Sequence, residues 1–139
     1  MRHFEIIPTK GVPQVLVQAT TKAGLVGAAL QGLFSVTSPD FSQAEDDTRL
    51  LERSFKIEAD GFADLLAALL NDALRQAAKH GEAYEEVRLN LITDKKAEGE
   101  YLGRTVRSFG RQIKGVKAAG LEVQRNEAGE WQTTLTMES

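Results

Sequence analysis

The sequence predicts an α+β domain with a mixed, mostly antiparallel sheet and two helices packed on one face. Two segments carry apolar residues at the three- and four-residue spacing of amphipathic helices. Several shorter segments alternate apolar and polar residues, as half-buried strands do. The helices and strands do not alternate regularly along the chain, and this order argues against a doubly wound parallel sheet.

The two predicted helices differ in composition. The first covers roughly residues 22–34, with Thr21 as its N-cap, and the second runs from Phe62 to Gly81, with Asp60 as its N-cap. The first contains three glycines, each of which costs a helix about 1 kcal/mol relative to alanine. We therefore expect close packing against the sheet to hold this helix at Gly24, Gly27 and Gly32.

Alternating segments predict strands along the whole chain. A turn at residues 126–130, which contains Gly129, predicts a hairpin between the last two of them. Residues 37–47 combine serine, proline and acidic residues and predict a surface loop. The predicted strands cover residues 15–19, 54–58, 87–91, 121–124 and 131–137.

Length and composition are those of a folded protein. The 139 residues fit a single domain, residues 1–139, with 42% hydrophobic and 27% charged side chains. There is no cysteine, which excludes disulfides, cysteine-ligated zinc and cysteine nucleophiles. The N-terminus has no apolar signal core, and no apolar stretch reaches the ~20 residues of a membrane span. We expect a cytoplasmic protein that does not enter a membrane.

Few residues could carry catalysis. The only histidines, His3 and His80, lie far apart, and His80 is expected at a helix C-terminus, where it favours the dipole. The chain has no G-x-S-x-G elbow and neither glycine-rich phosphate-binding motif. We interpret the acids of the predicted loop, which match no EF-hand, as solvated rather than metal-binding. They are Asp40, Glu45, Asp46 and Asp47. We therefore expect no catalytic residues and no cofactor.

One segment is strongly basic. No acidic residue lies between Glu100 and Glu122, although the whole chain has a formal charge of -3. Such an asymmetry is typical of a surface that faces phosphate or an acidic partner, or of a solvated face whose charges are paired. Spacings of three and four would align the cations on a helix, but four interleaved glycines favour irregular or extended backbone. The cations are Arg104, Arg107, Arg111, Lys114 and Lys117.

Several short segments resemble a known family. Residues 4–7 read FEII, residues 64–74 read DLLAALLNDAL, residues 113–116 read IKGV, and residues 120–123 read GLEV. Together with the closing glycine, tryptophan and alternating strand, they resemble the archeases along nearly the whole chain. The resemblance implies a mixed sheet flanked by helices. It also implies an accessory role, since archeases assist the tRNA-splicing RNA ligase with guanine nucleotide and divalent metal, and have been linked to tRNA methylation.

The chain departs from the archease pattern where that family binds metal. Archeases usually carry Asp-His-Thr-Ala-Asp after the first strand, whereas residues 8–12 here read PTKGV. The family's Thr-Tyr-His segment matches residues 117–119, which read KAA. Only Glu138, which matches the family's C-terminal Asp, keeps a carboxylate, and one carboxylate does not make a tight Mg²⁺ or Ca²⁺ site. We expect the metal dependence to be lost, with Glu138 as the one metal candidate.

The expected function is therefore assistance to a tRNA-splicing RNA ligase, or to another RNA-processing protein, by binding rather than catalysis. The five basic residues would contact that partner or RNA itself. One alternative is a diverged protein-interaction module, unrelated to RNA ligation, that could form homo-oligomers through a sheet edge. A second is a small enzyme or metal-binding protein that uses Glu138, Glu130 and the loop acids. The sequence leaves the oligomeric state open.

Overall fold

The fold has two helices and nine strands among residues 2–7, 11–41 and 51–138, which the computed structural model describes. The predicted α+β class is confirmed. In chain order the elements are β1 (Arg2–Ile7), β2 (Gln14–Ala19), α1 (Lys22–Thr37), β3 (Pro39–Phe41), β4 (Leu51–Glu58), α2 (Phe62–His80), β5 (Glu82–Ile92), β6 (Lys96–Phe109), β7 (Gly115–Val116), β8 (Gln124–Arg125) and β9 (Trp131–Glu138).

The strands form two sheets, and every pairing among the described strands is antiparallel. The first sheet has the order β1-β2-β9-β7, and the short β8 also pairs with β9. In the second sheet β6 is the common partner of β3, β4 and β5. The 14-residue β6 is the longest described strand, and its last residues lead into the basic segment.

The helix caps agree with the sequence at two ends, the start of α1 and the end of α2. Thr21 accepts a hydrogen bond from the backbone N–H of Gly24 at 3.0 Å and caps α1 as predicted, although α1 extends three residues beyond the predicted end. Gly81 ends α2 with a φ of 66°, in the left-handed region that glycine tolerates best. The predicted Asp60 cap is wrong, because Gly61 occupies the N-cap position and α2 has no side-chain cap.

The core lies where the helices pack against strands of both sheets. α1 contacts β1, β2 and β9 of the first sheet and β5 of the second, whereas α2 contacts β4, β5, β6 and β7. Eleven of the 16 residues of α1 are buried, as expected for a helix with apolar neighbours on most sides. No helix among the described residues is long and apolar enough to cross a membrane.

The glycines of α1 do pack closely against a sheet, as predicted. A Cβ atom at Gly32 would lie 2.8 Å from Cγ1 of Val15, and one at Gly24 would lie 3.2 Å from the Cβ of Ala19. Val15 and Ala19 belong to β2 and are fully buried. The helix therefore gives up intrinsic stability for a closer approach to the first sheet.

In the C-terminal hairpin the turn and the second strand were predicted correctly, but the first strand was not. The backbone N–H of Asn126 donates to the carbonyl of Glu130 at 2.8 Å, and Gly129 adopts a φ of 79°. This turn joins β8 to β9 as predicted. The strand predicted at residues 121–124 is wrong for its first three positions, because β8 contains only Gln124 and Arg125. The sequence patterns also did not predict β6 as a strand.

Two glycines explain why β6 was hard to recognise. β5 contains two register shifts where it pairs with β6, and a glycine of β6 lies beside each of them. A Cβ at Gly99 would lie 1.9 Å from the carbonyl oxygen of Arg88, and one at Gly103 would lie 2.0 Å from that of Ala83. Glycine in a strand usually lowers β-propensity, but here it admits the bulged backbone of the neighbouring strand.

Candidate interaction surface

The five basic residues lie on the end of β6 and on the segments around β7. Arg104 and Arg107 belong to β6, whereas Arg111, Lys114 and Lys117 lie in the connections that flank β7. All five residues are exposed. They do not lie in a helix, so their spacing of three and four does not place them on one helix face. The expectation of extended and irregular backbone, drawn from the neighbouring glycines, agrees with the structure.

The five cations differ in how far their charge is already paired. Arg104 forms an ion pair with Glu85 at 3.5 Å. The guanidinium of Arg111 donates to the carbonyl oxygen of Gly11 at 3.1 Å, which fixes its position but leaves its charge uncompensated. Within the described ranges, no acidic side chain forms an ion pair with Arg107, Arg111, Lys114 or Lys117.

Arg107 and Arg111 line one cleft, which we call the arginine cleft. Its volume is about 230 Å³. Ser108, Phe109 and Gln112 also line it, as does the exposed Ala78 of α2. The apolar part of its wall comes from α1, α2, β6 and the segment after β6, through Phe34, Leu74, Ala77, Val106 and Ile113. Two arginine residues therefore line a cleft whose interior is largely apolar.

Hydrogen bonds to the end of α1 position the segment that carries Arg111. The backbone N–H of Gly110 donates to the Ser38 carbonyl at 2.9 Å, and that of Arg111 donates to the Thr37 carbonyl at 3.0 Å. A Cβ at Gly110 would lie 3.0 Å from the Cβ of Ser38, so the two segments are in close contact. These bonds satisfy carbonyl groups that a helix C-terminus otherwise leaves unpaired, and they hold Arg111 beside α1.

Asn71 of α2 fastens β7 to the helix. Its side-chain amide donates to the carbonyl oxygen of Val116 at 3.1 Å, and its Oδ1 accepts from the backbone N–H of Val116 at 2.8 Å. The amide therefore pairs with both polar groups of one strand residue, as a neighbouring strand would. A Cβ at Gly115 would lie 2.9 Å from Asn71 Oδ1, so glycine is the residue that fits at that position.

A buried polar network supports the second sheet behind the arginine cleft. Nε and Nη2 of Arg53 donate to the two oxygens of Glu82 at 2.8 and 3.0 Å, and the Tyr84 hydroxyl donates to Oε1 at 3.0 Å. Burial by itself raises the pKa of Glu82, but the hydrogen bonds from Arg53 and Tyr84 outweigh it and leave that pKa below its ordinary value. Burial and the bond to Glu82 raise the pKa of Tyr84.

Aromatic contacts link this network to the cleft wall. The ring of Phe34 meets the ring of Tyr84 edge to face at 5.5 Å, and Tyr84 stacks on Tyr101 at 5.1 Å. The Tyr101 hydroxyl lies 2.8 Å from Asp72 Oδ2 and 3.1 Å from the Leu69 carbonyl oxygen. Burial, followed by the bond to Asp72, raises the pKa of Tyr101, which therefore remains a neutral donor. No sequence motif indicated the part of this network that joins Arg53, Glu82 and Tyr84.

The whole-chain match agrees with the resemblance. A model of the Archease protein family (MTH1598/TM1083) matches residues 4–137. The chain belongs to the archease family. An archease from Thermotoga maritima, described as a possible chaperone, has 16% sequence identity and a TM-score of 0.66, with 91% of this chain and 89% of that chain covered. No curated protein matches this chain significantly.

A second solved structure shares the archease fold. Protein 1598 of Methanobacterium thermoautotrophicum has 12% sequence identity and a TM-score of 0.68, with 98% of each chain covered. At such low identity the two likenesses concern the fold. The archease motifs have a physical role in this fold: the L-N-D part of α2 supplies Asn71, which binds Val116 of the K-G-V segment, and Asp72, which accepts from Tyr101.

Two of the described positions that match archease metal ligands, Lys117 and Glu138, lie beside or at the end of β9 in the first sheet. The backbone N–H of Met137 donates to the carbonyl of Pro13 at 3.0 Å, and that of Lys117 donates to Thr136 at 2.9 Å. Glu138 is exposed and pairs with Gly115 in the register of β7 and β9. Most of the first matching run, residues 8–10, lies outside the described residues. In the described ranges, no group of three or more His, Asp or Glu residues could hold a metal ion.

Proposed function

We propose that this archease acts as an accessory protein of RNA processing and assists a tRNA-splicing RNA ligase by binding rather than by catalysis. The observation that carries the proposal is the arginine cleft. Two cations without acidic partners among the described residues border an apolar depression, on a chain whose net charge is -3. Exposed lysines at positions 114 and 117 extend the positive surface toward β7. Such a surface recruits an acidic partner, or RNA phosphates.

Divalent metal is not needed for this binding in our proposal. The stretch that matches the first archease ligand run contains Lys10 and no carboxylate or imidazole, and the second matching run, residues 117–119, contains none either. Glu138 alone offers one carboxylate, whereas Mg²⁺ and Ca²⁺ sites gather several oxygen ligands. Titration calorimetry with Mg²⁺, Mn²⁺ and Zn²⁺ tests this point. Saturable binding that the substitution Glu138→Gln abolishes would contradict it.

A multiple-turnover ligation assay tests the assistance itself. The assay contains the tRNA-splicing RNA ligase of the same organism, a broken tRNA substrate, guanine nucleotide and substoichiometric ligase. Adding this chain is expected to increase the number of turnovers, and the double variant Arg107→Glu/Arg111→Glu is expected to lose most of that increase. Lys95→Glu, which makes a single charge reversal in the turn before β6, is the control and keeps the increase. If the unmodified chain has no effect on turnover, the proposal fails.

A second candidate function is an interaction module that associates through β1. This strand has one strand neighbour among the described residues, β2, and Ile6 is 46% exposed. An open edge strand with an exposed apolar side chain is a ready template for pairing with another chain. Sedimentation equilibrium separates the candidates. A dimer that Ile6→Lys dissociates, with no effect of the chain on ligation, would favour the module.

A further inference from the structure

We propose that the arginine cleft receives an acidic protein segment that inserts one large apolar side chain between Arg107 and Arg111. The occupant rests on the proposed function, because it names the kind of partner that this surface binds. Two observations select it: the apolar wall of the cleft and the two arginines that line it without acidic partners among the described residues. RNA, the other class of partner, is an outcome of the test below.

The size of the cleft favours a single side chain over a small-molecule ligand. Its volume is about 230 Å³. Pockets that hold cofactors or drug-sized molecules span about 300–1,000 Å³. Phe34, Ala77, Val106 and Ile113 of its wall are each at most 9% exposed, so core packing holds this part of the wall in place before an apolar side chain binds.

The charges around the cleft favour carboxylates. Arg107 and Arg111 each carry a planar guanidinium that can bind a carboxylate through two parallel hydrogen bonds. The cleft wall contains no acidic residue. Two carbonyl groups at the C-terminal ends of the helices already accept hydrogen bonds, which weakens their repulsion of an anion. The Thr37 carbonyl accepts from the backbone N–H of Arg111, and the Gly81 carbonyl accepts from that of Val106.

The composition of the wall favours protein over RNA. Proteins that read single-stranded RNA usually stack its bases on exposed aromatic rings beside the basic groups. Here the cleft wall contains only two aromatic residues, Phe34, which is buried, and Phe109, which is half-buried. A buried apolar wall bordered by two arginines instead matches the recognition of acidic motifs that carry an apolar anchor.

Amide shifts of the ¹⁵N-labelled full chain test the occupant with defined probes. The test peptide is acetyl-EDLFDE-amide. One control, acetyl-QNLFNQ-amide, removes the charges, and another, acetyl-EDAADE-amide, removes both large apolar side chains, one of which is the proposed anchor. Hexauridylate is the RNA probe. The test peptide is expected to shift the amide signals of Val106, Phe109 and Ile113 saturably. Each control peptide should bind about tenfold more weakly, because charge pairs and an apolar anchor both contribute to binding.

Two variants separate binding in the cleft from adhesion to the basic surface. Ala78 is exposed and lines the cleft, so Ala78→Trp fills the cleft without entering the core. This variant is expected to weaken binding of the test peptide about tenfold, because it blocks the anchor site, and Arg107→Glu is expected to weaken it about fivefold. Lys95 lies in the turn before β6, about 40 Å from Arg107 along the strand, since twelve residues advance about 3.3 Å each. Lys95→Glu should therefore leave the affinity for the test peptide unchanged.

Three results would overturn the proposed occupant: no saturable shift at these residues, equal binding of the uncharged control, or tighter binding of hexauridylate at the same residues. The ligation assay distinguishes this failure from that of the proposed function. If the peptide binds as expected but Ala78→Trp leaves ligase turnover unaffected, the cleft is a peptide site that ligation does not use. If turnover depends on Arg107 while the peptide fails to bind, the function stands and the occupant is wrong.

Discussion

Replacing Asn71 tests whether one side chain fastens β7 to α2. Asn71→Ala removes the hydrogen bonds of 3.1 and 2.8 Å to the backbone of Val116, a residue that is only 4% exposed. Each lost bond costs about 1 kcal/mol, and leaving buried backbone groups without partners adds to that cost. We expect the free energy of unfolding to fall by about 2–4 kcal/mol.

Urea unfolding measures this change through the midpoint, at a constant dependence on denaturant. Asn90→Ala is the matched control, because Asn90 is exposed and donates to the exposed-face residue Glu100 at 2.9 Å; a loss below about 0.5 kcal/mol is expected there. Gly115→Ala should also destabilise the chain, but less so when Asn71 is already alanine, because the new Cβ then meets no amide oxygen. A loss at Asn71 no larger than at Asn90 would refute the reasoning.

Three further predictions concern the buried network and the bulged strand. Tyr101→Phe leaves Asp72 without its hydroxyl donor and should lower the free energy of unfolding by about 1–2 kcal/mol in urea titrations, without a change in the circular dichroism of the native state. Gly103→Ala places a Cβ against the backbone of β5 and should cost at least about 3 kcal/mol or prevent folding, as measured by soluble yield and thermal unfolding. The pKa of Glu82 is lowered in the folded state, so its stabilising contribution is present above the ordinary pKa of 4.5 and is lost as pH falls below that value. The free energy of unfolding, measured against pH, should therefore decline less steeply below that value in Glu82→Gln than in the parent chain.

Local patterns were sufficient to predict the two helices, and the turn and second strand of the final hairpin. The apolar stripe of α2 and the glycine at its end are local features, so both could be read without knowing the rest of the fold. The close approach of the α1 glycines to the first sheet could be predicted because each glycine lowers the stability of a helix, and packing has to offset that loss. The Asp60 cap was wrong although α2 begins at Phe62 as predicted, because the residue directly before that start, Gly61, is the N-cap.

The long strand β6 and the arginine cleft needed the tertiary structure. Gly99 and Gly103 weaken the strand pattern, and their purpose becomes visible only when the bulges of β5 lie against them. The basic residues were visible in the sequence, but not that Arg107 and Arg111 share a cleft while Arg104 pairs with Glu85. Contacts between residues far apart in sequence decide both points.

Archease membership accounts for the fold and leaves the role of the basic surface to be measured. The metal candidate Glu138 and the five cations remain predictions. The chain's cations at the matching ligand positions, such as Lys117, would oppose a bound divalent ion, whereas the same charges favour an acidic partner. Binding to a partner should therefore not depend on divalent metal.

Equilibrium binding between the fluorescently labelled chain and the purified tRNA-splicing RNA ligase, in the presence of a chelator, tests the central claim most directly. We expect saturable binding that weakens as salt rises from about 0.05 M to about 0.5 M, since screening shortens the reach of exposed charges. Arg107→Glu/Arg111→Glu should weaken it strongly and Lys95→Glu should not. No binding, binding only when divalent metal is supplied, or equal affinity of the double variant would contradict the claim.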